Sequence, residues 1–404
     1  MDKVEVIVRA SSLHGKQEIA RLKESILSGI RAAGEFTVSE VDFPSGDGLP
    51  TILVLTGGVE REVLKVVSQI PPPAILIAHP GHNSLPASLE ILARIRQDGG
   101  EGRILFGEPE TIATGLSREL RVISAWEELR FSRVGIIGEP SEWLVASDVD
   151  RAFLKGRMGI ELVKIPIDEL IDRIKKARAP RKDLAKFTKG ASTVVEPSPE
   201  ELRGAVAIYK AIRELIDEYR LAAFTIRCFD LVIKVQNTGC YALSRLNDER
   251  VPAGCEGDMQ ALFSLYIGSL LIDQPAFMGN VTAVDVKQKK LYLAHCTCPL
   301  SLASGYAVRS HFESGIGVGI SAEIPPGPCT VFRFGGERLD RLFVREGTVE
   351  KTAQREDLCR TQLGIAIDGP IDTLLTEPLG NHHILLPGRH RRTVEYFFSR
   401  YLTP

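Results

Sequence analysis

The sequence predicts an α/β fold in which doubly wound α/β units are followed by a mostly antiparallel β region. The first third alternates short apolar runs with amphipathic helical runs, as in a parallel sheet covered on both faces. A second unit of this kind begins near residue 133 with RVGIIG. After Pro275, short β-type runs are separated by glycine and proline turns, which is typical of an antiparallel sheet or barrel.

The length and the charge of the chain limit its partners. Its 404 residues correspond to two or three domains of about 150 residues each. The 50 Lys and Arg residues nearly balance the 52 Asp and Glu residues, so the net charge is −2. A protein that neutralises nucleic-acid phosphates is usually basic, so we expect no nucleic-acid partner.

The first third is predicted to contain four strands with helices between them. The strands cover residues 4–8, 52–55, 74–78 and 103–106, and one helix covers residues 84–96. Gly57 and Gly58 indicate a turn after the second strand. They do not form a G-x-G-x-x-G pattern, so no dinucleotide site is expected.

The remaining elements are predicted from the same patterns. A strand at 133–138, helices at 168–178 and from about 200, and a strand at 224–235 precede a buried helix at 262–272. The C-terminal strands cover residues 291–294, 317–320, 330–334, 342–345, 363–367 and 384–386, and a helix covers residues 391–401. The basic segment 175–189 is interpreted either as a solvated linker or helix face or as an anion site.

The sequence predicts a cytoplasmic protein that does not enter a membrane. The N-terminal segment lacks the apolar core of a secretory signal. The apolar run at 262–272 is too short to cross a bilayer. The seven cysteines are odd in number and lack the spacing of a zinc ribbon, so free thiols in a reducing compartment are expected.

Residues that could carry chemistry are concentrated in the second half. Glu256 and Asp258 precede the apolar helix, where the helix dipole favours negative charge, and they indicate either a helix cap or a site. His295 ends a strand candidate. His311 and Glu313 share one face if the chain is extended there.

A further histidine-containing segment is Asn381 with its two successors. His382 and His383 are adjacent, so in an extended chain they point to opposite sides and at most one faces a given site. One such histidine is more often structural than a ligand. Four histidines with two carboxylates favour an α/β enzyme with a metal or acid–base site in its C-terminal half.

Six segments in order along the chain resemble the L-fucose isomerase and L-arabinose isomerase superfamily, especially its shorter fucose-isomerase-like members. They cover residues 78–95, 251–280, 293–302, 311–320, 358–362 and 378–388 and include VPAGCEGDMQ and PLGNHHILLPG. The resemblance implies two Rossmann-like α/β domains at residues 1–131 and 132–278 and a β-rich domain at residues 279–404. It also implies a homo-oligomer, a trimer or hexamer, in which the first domain of one subunit closes the active site of a neighbour.

Members of this superfamily interconvert aldoses and ketoses, usually with Mn²⁺. The resemblance therefore implies a sugar isomerase with Mn²⁺ or another divalent cation as cofactor and an enediol intermediate. In the family the cation holds the sugar oxygens O1 and O2, and a carboxylate moves the proton between C2 and C1. A cation is needed because the enediolate carries developing negative charge.

The resemblance also assigns metal ligands. Glu256 matches the metal-binding catalytic glutamate, and His382 or His383 matches the C-terminal metal histidine. Asn280 stands where fucose isomerases have a second carboxylate, and we assign it to the metal and the substrate. An amide cannot accept the proton, so a second carboxylate must come from elsewhere. The candidates are Asp258, Glu313 and Asp285.

Several alternatives stay open at this point. His295 and Cys296 lie where a softer ligand would join the metal. The departure at Asn280 allows an enzyme of the same fold with other carbonyl chemistry, such as aldol cleavage or epimerisation. A non-catalytic carbohydrate-binding protein is the remaining alternative.

The other site residues are assigned to the substrate. His79, His82 and Asn83 follow a strand of the first α/β unit, at the strand end where open α/β sheets bind ligands. The alternative is a turn with a helix cap at Asn83 or Ser84. The full predicted set of substrate-binding residues is His79, His82, Asn83, Asn280, His311 and Asn381.

Overall fold

Parallel strands form one sheet in the N-terminal part of the chain and another in the middle, and antiparallel strands follow them. This arrangement confirms the predicted fold class. The computed structural model describes residues 2–403. The chain forms two structural units: the first ends at Ser124 and the second begins at Ala125. The division into three domains at residues 1–131, 132–278 and 279–404 stays a prediction. Within residues 2–403, no helix has the length and apolar character needed to cross a bilayer.

The N-terminal unit is built on a five-stranded parallel sheet. Its elements are β1 (Lys3–Arg9), α1 (Lys16–Ala33), β2 (Thr37–Glu40), β3 (Leu49–Val54), α2 (Glu60–Val67), β4 (Ala74–Ala78), α3 (Ser84–Gln97), β5 (Gly102–Phe106) and α4 (Pro109–Leu129). The strand order is β2-β1-β3-β4-β5. Val6 and Ile7 belong to separate apolar clusters, because successive side chains of a strand point to opposite faces. The four predicted strands are confirmed, and β2 escaped prediction because its sequence, TVSE, contains no apolar run.

The second unit begins with a four-stranded parallel sheet. Its elements are β6 (Arg133–Ile137), α5 (Arg151–Phe153), β7 (Glu161–Ile165), α6 (Ile167–Lys176), α7 (Arg181–Lys189), β8 (Thr193–Val194), α8 (Pro199–Tyr219), β9 (Ala223–Ile226), α9 (Phe229–Val235), α10 (Cys240–Asp248), β10 (Ala253–Cys255) and α11 (Met259–Ile272). The strand order is β10-β9-β6-β7. A capping box of Ser198 and Glu201 starts α8, and the Asp258 side chain caps α11.

The predicted strand at 224–235 is wrong in its second half. The strand β9 ends at Ile226, and α9 follows after a short turn. The run is rich in apolar and β-branched residues, and periodicity does not distinguish a short helix from a strand in so short a run. The error matters because the turn between β9 and α9 borders the candidate site described below.

The C-terminal strands close into a barrel. The elements are β11 (Phe277–Asp285), β12 (Lys290–His295), β13 (Gly305–Arg309), β14 (Gly319–Glu323), β15 (Gly327–Gly335), β16 (Arg341–Glu350), β17 (Thr361–Ile367), α12 (Thr373–Thr376), β18 (His382–Pro387) and α13 (Arg391–Phe397). Six antiparallel strands follow one another in the order β11-β12-β17-β16-β15-β18, and β18 pairs back with β11. The strands β14, β13 and β8 form a separate small sheet.

The strand order brings distant segments to one place. Because β11 lies between β12 and β18, Asn280 pairs with Ala294 on one side and with His382 on the other. The edge strand β10 ends directly before Glu256. The carboxyl end of the parallel sheet and the barrel strands therefore contribute to the same region of the second unit.

Arg333 connects the barrel to the start of α11. This β15 side chain is completely buried, and its guanidinium donates to the Asp258 carboxylate at 3.1 Å and to the His382 carbonyl at 2.7 Å. It also donates to the Leu379 carbonyl at 3.0 Å. A buried cation is tolerated because these acceptors replace the lost hydration.

We expect Arg333→Met to lower the free energy of unfolding by about 3–5 kcal/mol, because it removes the guanidinium that pairs with the buried Asp258 carboxylate. The matched control is Arg338→Met, which removes a side chain that is 67% exposed and lies 3.6 Å from Asp150. That change should cost less than about 1 kcal/mol. Urea denaturation measures both values, and equal losses in the two variants would contradict this account.

Candidate active site

A cavity of about 470 Å³ lies at the carboxyl ends of β9 and β10, beside the barrel strands β11 and β12. A second cavity, of about 500 Å³, lies at the amino ends of β6, β9 and β10. Open α/β sheets bind ligands at the carboxyl ends of their strands. Of these two cavities, the one at the carboxyl ends is therefore the candidate active site.

Glu256 is held in the turn between β10 and α11. Its φ of 62° lies in the left-handed region, which is uncommon for residues other than glycine. Gly257 follows with a φ of 78°, and a Cβ atom there would lie 2.5 Å from the Cα of Pro140. The Ser141 amide donates to the Glu256 carbonyl at 2.9 Å. This tight turn fixes the position from which the Glu256 side chain enters the cavity.

Three side chains form a group that could hold a metal ion. One ligand atom from each of Glu256, His295 and His382 lies within 4.8 Å of the others. The Nε2 atom of His382 is 3.6 Å from Glu256 Oε1, and this buried nitrogen has no hydrogen-bond partner among the described residues. Two imidazoles and one carboxylate suit a divalent transition metal, but this donor set does not select one metal.

Hydrogen bonds orient both imidazoles of the group. His382 Nδ1 lies 3.0 Å from Asp258 Oδ2, and an ionised carboxylate only accepts, so Nδ1 carries the proton and donates. In the neutral ring Nε2 is then the lone-pair nitrogen. His295 Nδ1 lies 2.8 Å from the Thr297 hydroxyl, which leaves its other nitrogen available to the group. Such partners behind metal-binding histidines fix ring orientation.

The charges of the group are strongly coupled. Burial raises the pKa of Glu256, but His382 and the Trp143 N–H outweigh burial and lower it to about 2. Burial likewise raises the pKa of Asp258, and Arg333 and His382 lower it to about 2. Burial lowers the pKa of His382, whereas its contacts with the two carboxylates raise it to about 9. Without a metal, the cluster is an imidazolium between two carboxylates at neutral pH.

The structure separates the two adjacent histidines. His382 joins the three-residue group, whereas the ring of His383 packs against Phe343 with a centroid distance of 5.2 Å. Asn280 lines the cavity, and its amide oxygen accepts a hydrogen bond from the Asn381 amide at 2.9 Å. Its assignment to a metal stays a prediction. Of the two alternatives for the C-terminal histidine the group contains His382, and it also contains His295, which the sequence indicates only as an alternative ligand. The alternation of side chains along β18 explains the placement of His383.

The candidate catalytic carboxylates lie in different environments. Glu313 and His311 line the cavity together with Glu256. Asp258 is completely buried, caps α11 and bonds to His382, so it lies behind the histidine and not among the residues lining the cavity. Asp285 ends β11, opposite Lys290, and does not line the cavity.

Three of the predicted substrate-binding residues, His79, His82 and Asn83, belong to the N-terminal unit. His79 is buried, and its Nε2 donates to the Leu55 carbonyl at 2.9 Å. The His82 ring lies 5.5 Å from the His14 ring. Asn83 precedes α3 in the left-handed conformation, without a side-chain cap hydrogen bond. Their assignment to the substrate stays a prediction.

The sequence of this chain is similar to those of several named proteins. No family model matches the chain. The chain is 27% identical to a sulfoquinovose isomerase of Clostridium sp. (strain MSTE9) over 57% of this chain and 54% of that protein. It is 24% identical to one of Alkalicoccus urumqiensis over 75% of this chain and 71% of that protein, and 22% identical to one of Priestia aryabhattai over 57% and 53%.

These relatives are sugar isomerases by name. In two of these three comparisons the aligned region spans about half the length of the relative, and identity is low throughout. The names agree with the class of protein that the sequence predicts. The resemblance to the fucose and arabinose isomerases stays a prediction.

Sequence reasoning missed the aromatic wall of the cavity. Trp143 is 52% exposed, and its indole N–H donates to Glu256 Oε2 at 2.7 Å. Its ring packs edge-on against Phe229 with a centroid distance of 5.0 Å. Two features of the sequence could have indicated Trp143. It is one of only two tryptophans, and it lies five residues after Gly138, where the chain leaves the carboxyl end of β6.

The pH dependence of stability tests the charge pairing of His382. Its pKa is 6.5 ordinarily and about 9 in the folded chain, so its contribution is complete below pH 6.5 and is lost as the pH rises towards 9. One pKa unit corresponds to about 1.4 kcal/mol, so we expect a loss on the order of 3 kcal/mol in chelator-treated protein. The His382→Asn variant removes this imidazole but keeps every cysteine, a residue type whose thiol ordinarily also titrates above neutral pH. This variant should therefore lack the loss that comes from His382. An equal loss in both proteins would refute the pairing.

Trp143 should act as a positioning residue for Glu256. We expect Trp143→Phe, which keeps an aromatic ring but removes the N–H donor, to weaken Mn²⁺ binding roughly 10–100-fold, as is typical for partners behind metal ligands. Trp126→Phe is the matched control, because that indole is buried and stacked on Tyr401 with a centroid distance of 4.3 Å. Electron paramagnetic resonance of free Mn²⁺ measures both affinities. Unchanged affinity in Trp143→Phe would remove this role.

Proposed function

We propose that this protein is a metal-dependent aldose–ketose isomerase that acts on a sugar through an enediol. The observation that carries the proposal is the group of Glu256, His295 and His382, of which Glu256 and His295 line the cavity. The similarity to named sulfoquinovose isomerases supports the same reaction class. We further propose Mn²⁺ or another divalent cation as the cofactor.

The cavity has the size and the chemistry for a monosaccharide. Its volume of about 470 Å³ lies within the usual range of 300–1,000 Å³ for small-molecule sites. The amides of Asn280 and Asn381 offer both donors and acceptors to sugar hydroxyls. Trp143 and Phe229 offer apolar surface to the carbon-bound hydrogens of the sugar.

The carboxylates that line the cavity are the candidates for the proton transfer. A divalent cation bound to Glu256, His295 and His382 would supply a Lewis acid for the negative charge that develops on the sugar oxygens. Glu256 is ionised at neutral pH and therefore able to accept a proton from C2 and return it at C1. Glu313 lines the same cavity and is the second candidate for this transfer. Asp258 holds His382 in place and does not reach the sugar.

Solvent exchange tests this proposal. The Mn²⁺-loaded protein, incubated in D₂O with a panel of neutral and sulfonated aldoses, should incorporate deuterium at C2 and form the corresponding ketose. Nuclear magnetic resonance detects both changes. We expect Glu256→Gln to reduce the exchange rate by about 10²–10⁴-fold or more, because it removes the proton acceptor and a metal ligand. Glu377→Gln, at an exposed position, should exchange like the unmodified protein.

Each alternative function gives a different result. Products with a changed number of carbon atoms would indicate aldol cleavage, which the amide at Asn280 leaves open. Stabilisation by a sugar that is equal in Glu256→Gln and in the unmodified protein, without any exchange, would indicate a binding protein. Either result overturns the isomerase proposal.

A further inference from the structure

Five of the seven cysteines line the candidate cavity. They are Cys228, Cys240, Cys255, Cys296 and Cys359. The other two, Cys298 and Cys329, are buried and do not line it. The proposed isomerisation uses no thiol, so this concentration of sulfur beside the metal-binding group has no role in that chemistry.

Two of these thiols are in direct contact. Cys228 Sγ and Cys255 Sγ lie 3.0 Å apart. Cys255 is the last residue of β10, and Cys228 lies just beyond the end of β9, which is the neighbouring parallel strand. A disulfide has an S–S distance of about 2.05 Å, so the two sulfurs need to approach by only about 1 Å. The pairing of β9 with β10 therefore places the two thiols so that forming a disulfide requires little movement.

We propose that Cys228 and Cys255 form an oxidation-sensitive dithiol, which small peroxides convert into a disulfide that disables the Glu256 site. The formation of the disulfide is independent of the proposed function, whereas its consequence for catalysis rests on that function. Both sulfurs line the cavity, so a molecule the size of hydrogen peroxide reaches them from the same opening as the substrate.

The chemical step is balanced with hydrogen peroxide as the oxidant. One thiolate attacks a peroxide oxygen, the O–O bond breaks, and a sulfenic acid and hydroxide form. The second thiol then attacks the sulfenic sulfur, forms the S–S bond and releases water. Two thiols and one peroxide thus give one disulfide and two water molecules. A dithiol reductant reverses the reaction by exchange.

The disulfide would act on the site through the residues that follow its two cysteines. Cys255 is joined directly to Glu256, and Cys228 is joined to Phe229. Phe229 packs against Trp143, which donates its hydrogen bond to Glu256. Drawing the two sulfurs together therefore displaces both the carboxylate and the aromatic contact that supports its partner. The metal-binding group loses its geometry because Glu256 has little freedom in its left-handed turn.

The first measurement is independent of enzyme activity. After treatment with stoichiometric hydrogen peroxide, the full chain should lose the mass of two hydrogen atoms, and peptide mapping should place the bond between Cys228 and Cys255. The Cys228→Ser and Cys255→Ala variants should not form it, and Cys298→Ala should form it like the unmodified protein. A bond between Cys296 and Cys240 or Cys359, or no disulfide, would overturn the proposal.

The second measurement tests the consequence. In the Trp126→Phe background Trp143 is the only tryptophan, so its emission reports on the cavity wall. Oxidation should change this emission and weaken Mn²⁺ binding by about tenfold or more, and dithiothreitol should restore both. The Cys228→Ser variant should show neither change. A mapped disulfide that leaves emission and Mn²⁺ affinity unchanged would show that the dithiol does not control the site. If the mapped disulfide forms while no aldose exchanges its proton, the isomerase proposal fails and the dithiol stands.

Discussion

The buried carboxylate of Asp258 connects the start of α11 to Arg333 and His382 of the barrel. It accepts from the Arg333 guanidinium on the barrel side, caps α11 at its own position and accepts from Nδ1 of His382. Each of these groups would be costly to bury alone, and each is compensated by the others. Because Asp258 engages Nδ1, His382 presents Nε2 towards Glu256. The orientation of His382 in the candidate metal group therefore depends on a residue that does not line the cavity.

The cavity lies where two kinds of β-structure meet. The parallel sheet ends at the turn that holds Glu256, and the barrel supplies His295 from β12 and His382 from β18, on either side of β11. The carboxylate and the imidazoles thus come from elements with different packing constraints. The network of Asp258 and Arg333 holds His382 against the start of α11, directly after the turn that contains Glu256. The Cys228 and Cys255 thiols lie on the parallel-sheet side of the same junction.

The accuracy of the sequence-based predictions follows the strength of the local pattern. Strands that are apolar throughout, such as β4, and helices with a long apolar stripe, such as α8, were predicted nearly at their observed bounds. The segment 224–235 was misassigned because a short run rich in apolar residues fits a strand and a helix equally well. The strand β11 was missed because half of it is only partly buried and its pattern is irregular.

The sequence by itself determined the fold class and indicated Glu256, since both depend on patterns within short segments. It also established that His382 and His383 cannot both face one site, because successive side chains of a strand alternate. Only the tertiary structure decided that His382 faces Glu256, that His295 joins them and that Trp143 donates to the carboxylate. These contacts join residues far apart in the chain, 113 positions for Trp143 and Glu256 and 124 for Asp258 and His382. Strand order and barrel closure produce such proximity, and no local pattern encodes it.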